Sequence, residues 1–245
     1  MKNKILAIQT ARANSKSVKK KNLIKIDNEP IFLKSLKSAI NCKEIDKVVC
    51  TTDDKIIASY SKKFNFDAIK RPKSLTGPNA SHLLTIKHAL LETEKKYKCK
   101  YDIVILLLGN VVGISAKALS QGIKKLKNND SVVSVSKFNM FNPLRAFSEN
   151  SNKLIKTSID PKNINNSKKK NSNDKNVLGD IYFCNGNFWI MKRSNLFIKS
   201  KQIPPFPWIG KKIVPFKQKT FFEIDDVWQT DFLKKFSKSF KEEIS

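Results

Sequence analysis

Short apolar segments alternate along the chain with longer segments in which apolar residues recur at helical spacing. Four segments are short, apolar and rich in β-branched residues, as buried strands are: residues 5–8, 48–52, 103–108 and 131–135. Five longer segments repeat their apolar residues as amphipathic helices do: residues 30–40, 55–64, 81–95, 116–127 and 227–236. Strands and helices that take turns in this way predict an α/β fold, with a mostly parallel sheet flanked by helices.

The chain length of 245 residues predicts one domain, residues 1–245, with a modest insertion. Residues 150–176 are rich in Lys, Asn and Ser and show no periodicity, which predicts a mobile loop. The longest apolar run, residues 103–108, has the length of a strand, so the sequence predicts no membrane-spanning segment.

The net charge of +27 says less about partners than its size suggests. Only four of the 48 basic residues are Arg, and the Lys residues are scattered along the chain. A protein that reads nucleic acid more often concentrates Arg and places aromatic side chains between its charges. We therefore expect no specific nucleic-acid partner, and a basic nucleic-acid binder stays an alternative that rests on charge alone.

The cysteines indicate the cellular compartment. Cys42, Cys50, Cys99 and Cys184 show no C-x-x-C spacing and no His at ligand spacing. This pattern suggests neither a zinc site nor a disulfide framework. The apolar run near the N-terminus is too short for the core of a signal peptide. We expect buried thiols and a cytoplasmic protein.

A polar loop that carries many cations follows the first predicted strand. Its polar and basic residues include Arg12, Asn14, Ser15, Lys16, Lys19, Lys20 and Lys21. Cationic side chains, small hydroxyls and backbone N–H groups bind phosphate oxygens well. No Gly precedes Gly77, so the loop lacks the glycine-rich signature of other phosphate loops and has to use side-chain cations. A solvated basic loop is the alternative interpretation.

Two carboxylates near the end of the chain form the second candidate site. Glu223 and Asp225 are two residues apart, so on an extended segment both side chains face the same side. Such a carboxylate pair suits Mg²⁺ together with triphosphate oxygens. The alternative is that Asp225 or Asp226 caps the helix predicted over residues 227–236.

The loop also carries a family resemblance. The order Ala11-Arg12, Asn14-Ser15-Lys16 and Lys21-Asn22 resembles the N-terminal signature of the CMP-sialic acid synthetases, also called acylneuraminate cytidylyltransferases. The spacing of these residues matches the family pattern without a gap. One position departs from it, because Ser17 stands where the family has Gly.

The resemblance continues through the middle of the chain. Arg71 precedes a Pro, and Ser81 follows an Ala, in the register that the family shows on the nucleotide side of its pocket. A surface salt bridge is the alternative role for Arg71. The segment after the third predicted strand diverges, because Leu108 occupies the position of the family's nucleotide-contacting Gln. Asn110 could supply that contact instead.

The resemblance implies a Rossmann-like nucleotidyltransferase fold and transfer of CMP from CTP to a nonulosonic (sialic-type) acid sugar, with Mg²⁺ as cofactor. The implied catalytic residues are Arg12, Lys21 and Asp225. The implied nucleotide-binding residues are Ala11, Arg12, Asn14, Ser15, Lys16, Lys21, Asn22, Arg71, Ser81 and Asn110. The implied metal ligands are Glu223 and Asp225, and the implied acceptor-sugar residues are Asn142 and Arg145.

The family also implies a homodimer, and residues 138–190 would supply an inserted region for dimerisation and for the acceptor sugar. Two alternatives stay open besides the nucleic-acid binder. One is a cytidylyltransferase for another acid sugar, such as Kdo. The other is a nucleotide-binding homologue that has lost catalysis, which the departures at Ser17 and Leu108 suggest.

Overall fold

The computed structural model describes residues 3–13, 17–77, 79–151, 153–156, 174, 178–198, 205–219 and 221–244. The strands are β1 Ile5–Thr10, β2 Lys25–Ile26, β3 Glu29–Pro30, β4 Lys47–Thr52, β5 Asp67–Lys70, β6 Ile103–Leu108, β7 Val111–Val112, β8 Ser131–Lys137, β9 Phe147–Asn150, β10 Lys153–Lys156, β11 Tyr182–Lys192, β12 Ile213–Lys217 and β13 Phe222–Glu223. The α-helices are α1 Phe32–Ile40, α2 Lys55–Ser59, α3 Ser61–Phe64, α4 His82–Tyr97, α5 Ala116–Leu126 and α6 Val227–Ile244.

The main sheet, as far as the described residues go, has seven strands in the order β12-β8-β11-β6-β1-β4-β5. β1 lies between β6 and β4 and pairs parallel with both. β11 runs antiparallel to its neighbours β6 and β8, and the pairings β12–β8 and β4–β5 are parallel. The prediction of an α/β fold with a mostly parallel sheet flanked by helices is therefore confirmed.

The sheet buries both of its faces, because successive residues of a strand point to opposite sides. Ile5 and Ala7 of β1 belong to a buried cluster that contains the apolar sides of α1 and α5. Leu6 and Ile8 belong to a second cluster that contains the apolar side of α4. This two-sided burial explains why β1 and β6 are apolar at nearly every position, as central parallel strands are.

Two local predictions are wrong. Residues 55–64 do not form one helix, because the chain divides into α2 and α3 at Tyr60. The Tyr60 N–H donates to the carbonyl of Ile57 at 3.2 Å, a three-residue step that tightens the helix, and its ring packs edge-on against Phe32 at 5.5 Å. The sequence does not reveal this tertiary contact.

The second wrong prediction concerns the loop expected over residues 150–176. Residues 153–156 form β10, which pairs antiparallel with β9 in a hairpin. Leu154 and Ile155 make this short segment apolar enough for a strand, although its surroundings are polar. Residues 152, 157–173 and 175–177 of the expected loop lie outside the described part of the chain.

The expected inserted region, residues 138–190, overlaps the main sheet. Its residues 182–190 belong to β11, which lies between β6 and β8. The described residues of this region beyond the main sheet are 138–151, 153–156, 174 and 178–181, and they include the β9–β10 hairpin. None of the helices in the described ranges combines the length and the apolar character needed to cross a membrane.

The carboxyl ends of the parallel strands meet at one edge of the sheet. β1 ends there at Thr10, β4 at Thr52 and β6 at Leu108. Just beyond β6, the β13–β7 ladder pairs Glu223 with Val111. Ligands of open α/β sheets bind outside the carboxyl ends of the strands. The fold therefore brings two distant parts of the chain to the edge where a ligand is expected. They are the loop after β1 and residues 223–225, here called the carboxylate segment.

Candidate active site

The carboxylate pair is held at this edge by the loop after β6. The Asn110 Nδ2 donates to Glu223 Oε1 at 3.1 Å and lies 3.4 Å from Asp225 Oδ1. Glu223 is partly buried, and burial raises the pKa of its carboxyl group, with a further contribution from the charge of Asp225. The hydrogen bond from Asn110 and the charge of Lys21 oppose this rise. Two neighbouring carboxylates therefore place negative charge at this edge, and a cation would stabilise them.

Lys21 supplies one cation directly. Its Nζ donates to Asp225 Oδ1 at 2.6 Å. The side chain of Lys21 is only 17% exposed, whereas that of Asp225 is 57% exposed. Lys21 begins a short 3₁₀ turn over Lys21–Leu23, and Lys20 before it adopts a left-handed backbone conformation with φ 51°. The loop after β1 and the carboxylate segment therefore meet in one ion pair.

The acidic residues 225 and 226 have different partners. The carboxylate of Asp226 accepts from the backbone N–H of Val227 at 2.7 Å, at the start of α6. The side-chain oxygen of Gln229 accepts from the N–H groups of both Asp225 and Asp226. Asp226 therefore has the local bond expected of a residue at a helix start, while the Asp225 carboxylate turns to Lys21.

The loop after β1 is fixed by its neighbours. Asn22 Nδ2 donates to the carbonyl of Arg12 at 2.9 Å, and Arg12 Nη1 lies 3.4 Å from the carbonyl of Gly77. The backbone N–H of Ala13 donates to Asp53 Oδ1 at 2.8 Å. The predicted residues Asn14, Ser15 and Lys16 lie outside the described residues.

The adjacent carboxylates of Asp53 and Asp54 also have different hydrogen-bond partners. Asp53 holds the loop after β1, and Asp54 caps α2 by accepting from the N–H groups of Ile56 and Ile57. Ala11 is buried, and its N–H donates to the carbonyl of Thr51 at 3.2 Å.

Arg71 is an unusually buried cation. It is 7% exposed, and its Nη2 donates to the carbonyl of Thr51 at 2.9 Å. Burial lowers the pKa of its guanidinium, and the nearby Asp53 carboxylate opposes that effect. The Nε of Arg71 is buried and has no hydrogen-bond partner among the described residues. A buried donor without a partner is costly, so Arg71 does not have the contacts of an ordinary surface salt bridge.

One cleft of about 280 Å³ joins six of the predicted residues. Its lining includes Arg12, Lys21, Asn22, Arg71, Asn110 and Glu223. Leu108, which occupies the position of the family's Gln, lies in the same wall. The Oγ of Ser81 accepts from the N–H of Leu84 at 3.3 Å and so caps α4. The cleft therefore combines several cations with the carboxylate of Glu223, and Asp225 joins it through its ion pair with Lys21. This arrangement suits a polyphosphate and a metal ion.

Two predicted residues lie away from this cleft. The Asn142 Oδ1 accepts from the N–H of Leu144 at 3.0 Å, so Asn142 caps its own short turn, and it is buried. Arg145 ends the same turn and is exposed. Neither residue belongs to the described lining of the cleft.

Sequence reasoning missed His82, which also lines the cleft. His82 Nε2 lies 3.2 Å from Thr10 Oγ1, and the ring packs edge-on against Trp208 with centroids 5.2 Å apart. Burial lowers the pKa of His82 to about 4, and the charges of Arg71 and Arg12 add to the effect. The imidazole is therefore neutral near pH 7. Only its place directly after Ser81 could have drawn attention to it.

The carboxylate pair fits a divalent cation that shares its ligands with a substrate. Within the described ranges, no group of three or more His, Cys, Asp or Glu residues is placed to hold a metal. Glu223 and Asp225 offer only carboxylate oxygens, which are the ligands that Mg²⁺ prefers. Mg²⁺ commonly takes one or two carboxylates from a protein and completes its shell with substrate phosphates and water.

Comparison with known proteins gives the same family for almost the whole chain. The sequence model of the family described as cytidylyltransferase matches residues 6–244. The chain is 27% identical over 192 residues to the pseudaminic acid cytidylyltransferase of Campylobacter jejuni strain 81-176, covering 78% of this chain and 81% of that protein. It is 32% identical over 90 residues to the N-acylneuraminate cytidylyltransferase of Escherichia coli O18:K1:H7.

Coverage differs among these relatives. The E. coli alignment spans 37% of this chain but only 22% of that protein. A Campylobacter coli relative, post-translational flagellin modification protein B, is 33% identical over 102 residues, which is 43% of its length. The chain therefore spans less than half of these two proteins.

A solved structure supports the fold. The structure of CMP:2-keto-3-deoxy-manno-octonic acid synthetase complexed with CTP superposes with a TM-score of 0.67, covering 96% of this chain and 99% of that chain at 14% identity. This likeness bears on the fold alone, whereas the sequence match covers the loop after β1, the wall after β6 and the carboxylate segment together. The chain belongs to the cytidylyltransferase family.

Proposed function

We propose that the protein transfers CMP from CTP to the anomeric hydroxyl of a nonulosonic acid sugar and releases pyrophosphate. The observation that carries this proposal is the meeting of Lys21, Arg12 and Glu223 in one cleft, with Asp225 paired to Lys21. The names of relatives that act on N-acylneuraminate and on pseudaminic acid support a nonulosonic acid as the acceptor.

The proposed chemistry needs positioning and charge neutralisation more than covalent catalysis. The sugar oxygen bonds to the α-phosphorus of CTP, and the bond from the α-phosphorus to the bridging oxygen breaks. Pyrophosphate leaves, and the hydroxyl proton passes to solvent. Arg12 and Lys21 would bind the phosphate oxygens and stabilise the charge that develops on them.

Glu223 and Asp225 would hold Mg²⁺, which supplies charge neutralisation at the α-phosphate when bound. The same two carboxylates lie beside Lys21, so a phosphate chain at Lys21 would also be within reach of the metal ligands. Asn14, Ser15 and Lys16, which the family resemblance assigns to the triphosphate, belong to this proposal as well. Arg71 and Ser81 would lie on the nucleoside side, and Arg145 would bind the sugar carboxylate, with Asn142 beside it.

The direct test measures pyrophosphate release from CTP in the presence of Mg²⁺ and a panel of acid sugars, namely N-acetylneuraminic acid, pseudaminic acid and Kdo. We expect release that depends on both metal and sugar, that is strongest with a nonulosonic acid, and that needs a higher Mg²⁺ concentration in Asp225→Asn. Release only with Kdo would favour the alternative acceptor. No release with any sugar, together with a CTP-induced rise in Tm, would identify a nucleotide-binding homologue without catalysis.

We further propose that the protein is a homodimer that associates through residues 138–190. Several large apolar side chains of this region are exposed, namely Met140, Phe141, Phe147 and Leu154. Exposed apolar patches of this kind mark association surfaces. Sedimentation should show a dimer, and Phe141→Asp combined with Leu154→Asp should give a monomer. A wild-type monomer at all concentrations would contradict this assembly.

The proposed place of action is the cytoplasm. All four cysteines are free thiols. Cys42 and Cys50 are buried, and Cys99 and Cys184 are partly exposed. Free thiols of this kind suit a reducing compartment. Fractionation of cells that express the protein would test this expectation.

A further inference from the structure

The side-chain amide of Asn110 makes an unusual number of contacts with the carboxylate segment. Asn110 follows β6 and is only 6% exposed. Its Nδ2 donates to the carbonyl of Ile224 at 2.9 Å and to Glu223 Oε1 at 3.1 Å. The same nitrogen lies 3.4 Å from Asp225 Oδ1. Three successive residues of the carboxylate segment therefore converge on one amide nitrogen.

The backbone of Asn110 holds the same segment. Its carbonyl accepts from the N–H of Ile224 at 2.9 Å. This bond continues the β7–β13 ladder, in which Glu223 pairs with Val111. Ile224 is fully buried, between the two carboxylate-bearing residues. Both the main chain and the side chain of Asn110 therefore form hydrogen bonds with the backbone of Ile224. The same side chain also contacts the carboxylates of Glu223 and Asp225.

We propose that Asn110 is a positioning residue that sets the spacing and orientation of Glu223 and Asp225, rather than a contact of the nucleotide base. An amide nitrogen has two hydrogens, and three acceptors of the carboxylate segment already surround this one. Two neighbouring carboxylates repel each other, and a donor shared between them offsets part of that repulsion. This role rests on the proposed function, because it presumes that the carboxylates hold a metal with CTP.

The test measures how strongly Mn²⁺ tightens CTP binding, as the ratio of the CTP Kd without metal to the CTP Kd with saturating Mn²⁺. Calorimetry gives both constants without any turnover. We compare wild type with Asn110→Ala and with Asn110→Leu, which keeps the side-chain volume and removes the donor. We expect the ratio to fall by about 10- to 100-fold, the usual effect of removing a group that orients a metal ligand. The metal-free Kd should change much less than this ratio.

The matched control is Asn195→Ala. Asn195 is also a buried asparagine, and its Nδ2 donates to the carbonyl of Asp130 at 3.0 Å, away from the described cleft. This variant should keep the wild-type ratio, whatever it costs in Tm. Loss of a buried amide as such would affect both positions, whereas a positioning role affects only Asn110.

Two outcomes would overturn the role of Asn110 alone. One is a folded Asn110→Leu protein with the wild-type ratio. The other is a variant whose metal-free CTP binding weakens while the ratio stays intact, which would make Asn110 a nucleotide contact. A wild-type protein that binds no CTP, with or without Mn²⁺, would instead overturn the proposed function and this role together.

Discussion

At the scale of single residues, the ion pair between Lys21 and Asp225 joins parts of the chain that are 204 positions apart. Its energetic contribution to folding is small, because Asp225 is largely exposed and exposed ion pairs contribute about 0–1 kcal/mol. A contact between Lys21 and a phosphate would have a larger effect on ligand binding than the pair has on folding. Stability and function can therefore be separated at this residue.

Lys21→Ala should reduce turnover strongly and leave Tm nearly unchanged. Loss of a charge-assisted contact to phosphate costs about 1.5–3 kcal/mol, and more if the contact strengthens in the transition state. Pyrophosphate release and thermal unfolding measure the two quantities. Lys96→Ala is the control, because Lys96 pairs with Asp67 at 3.0 Å on an exposed surface. Wild-type turnover in Lys21→Ala would move Lys21 out of the phosphate site.

Asp225→Asn should raise the Mg²⁺ concentration needed for pyrophosphate release far more than Asp226→Asn. The Asp225 carboxylate lies beside Lys21 and Asn110, whereas Asp226 accepts a local hydrogen bond at the start of α6. An Asn side chain keeps a capping acceptor, so Asp226→Asn should be nearly neutral. Mg²⁺ titration of both variants checks this, and equal effects would assign Asp225 to the helix cap instead.

His82 should make stability depend on pH. Its folded-state pKa of about 4 lies below the ordinary 6.5 because burial disfavours the charged ring. The unfolded chain therefore binds the proton first, so this contribution to stability is complete above pH 6.5 and is lost as pH falls toward 4. The loss is at most about 3–4 kcal/mol. His82→Gln should flatten the fall in Tm over this range, and identical profiles would contradict the assignment.

The sequence predicts some of these residues and misses others for a physical reason. Arg12, Lys21 and Glu223 are predictable because cations and carboxylates at defined spacing indicate phosphate and metal binding. The fold does bring these three residues into one cleft. His82 has no such spacing, and its proximity to Thr10 depends on where α4 begins relative to β1. Asn110 was predicted as a possible nucleotide contact, and its bonds to the carboxylate segment are visible only in three dimensions.

At the scale of elements, strongly apolar strands are predictable and very short ones are not. β1 and β6 follow from their composition alone, since both faces are buried. β7 and β13 contain two residues each and exist because they pair with each other across more than 100 positions. A periodicity of two residues cannot be detected in a two-residue segment. The segment that carries Glu223 was therefore predicted to be extended only because Glu223 and Asp225 have the spacing of a carboxylate pair.

The register shift in β11 next to Glu223 gives a prediction at this scale. The register of β11 shifts between Cys184 and Trp189, and Gly186 lies there with φ 74°. A Cβ at Gly186 would lie 3.2 Å from Glu223 Oε2. Gly186→Ala should therefore cost about 1–2 kcal/mol of stability through its left-handed backbone and also displace the Glu223 carboxylate.

Thermal unfolding and Mg²⁺ titration measure the two effects of Gly186→Ala. The control is Gly77→Ala, because a Cβ at Gly77 would meet no atom within 4 Å. Gly77→Ala should leave Tm close to that of wild type. If Gly186→Ala matched this control in Tm and matched wild type in Mg²⁺ dependence, Gly186 would not constrain Glu223.

At the scale of the whole molecule, the alternation of strands and helices predicts the parallel sheet because each crossover helix has to cover a face of it. The antiparallel insertion of β11 between β6 and β8 is not predictable in this way. It depends on a long return connection, and connection geometry leaves no periodic trace in the sequence. The fold class was therefore accessible from sequence, whereas the strand order was not.

The overall charge also gives a prediction. Scattered lysines bind polyanions loosely, and such binding weakens steeply as salt displaces it. CTP with Mg²⁺ should raise Tm at both low and high salt, because it has a defined cleft. A short oligonucleotide should raise Tm at low salt only. An oligonucleotide effect that persists at high salt would revive the nucleic-acid function.

The β13–β7 ladder has a consequence for the order in which the chain is made. Among the described residues, every strand of the main sheet ends by residue 217, so the sheet precedes Glu223 and Asp225 in the chain. Both carboxylates leave the ribosome more than 200 residues after Lys21. A nascent chain can therefore complete its sheet and still lack the carboxylates that face Lys21. The candidate metal site therefore forms only after the sheet that supports it.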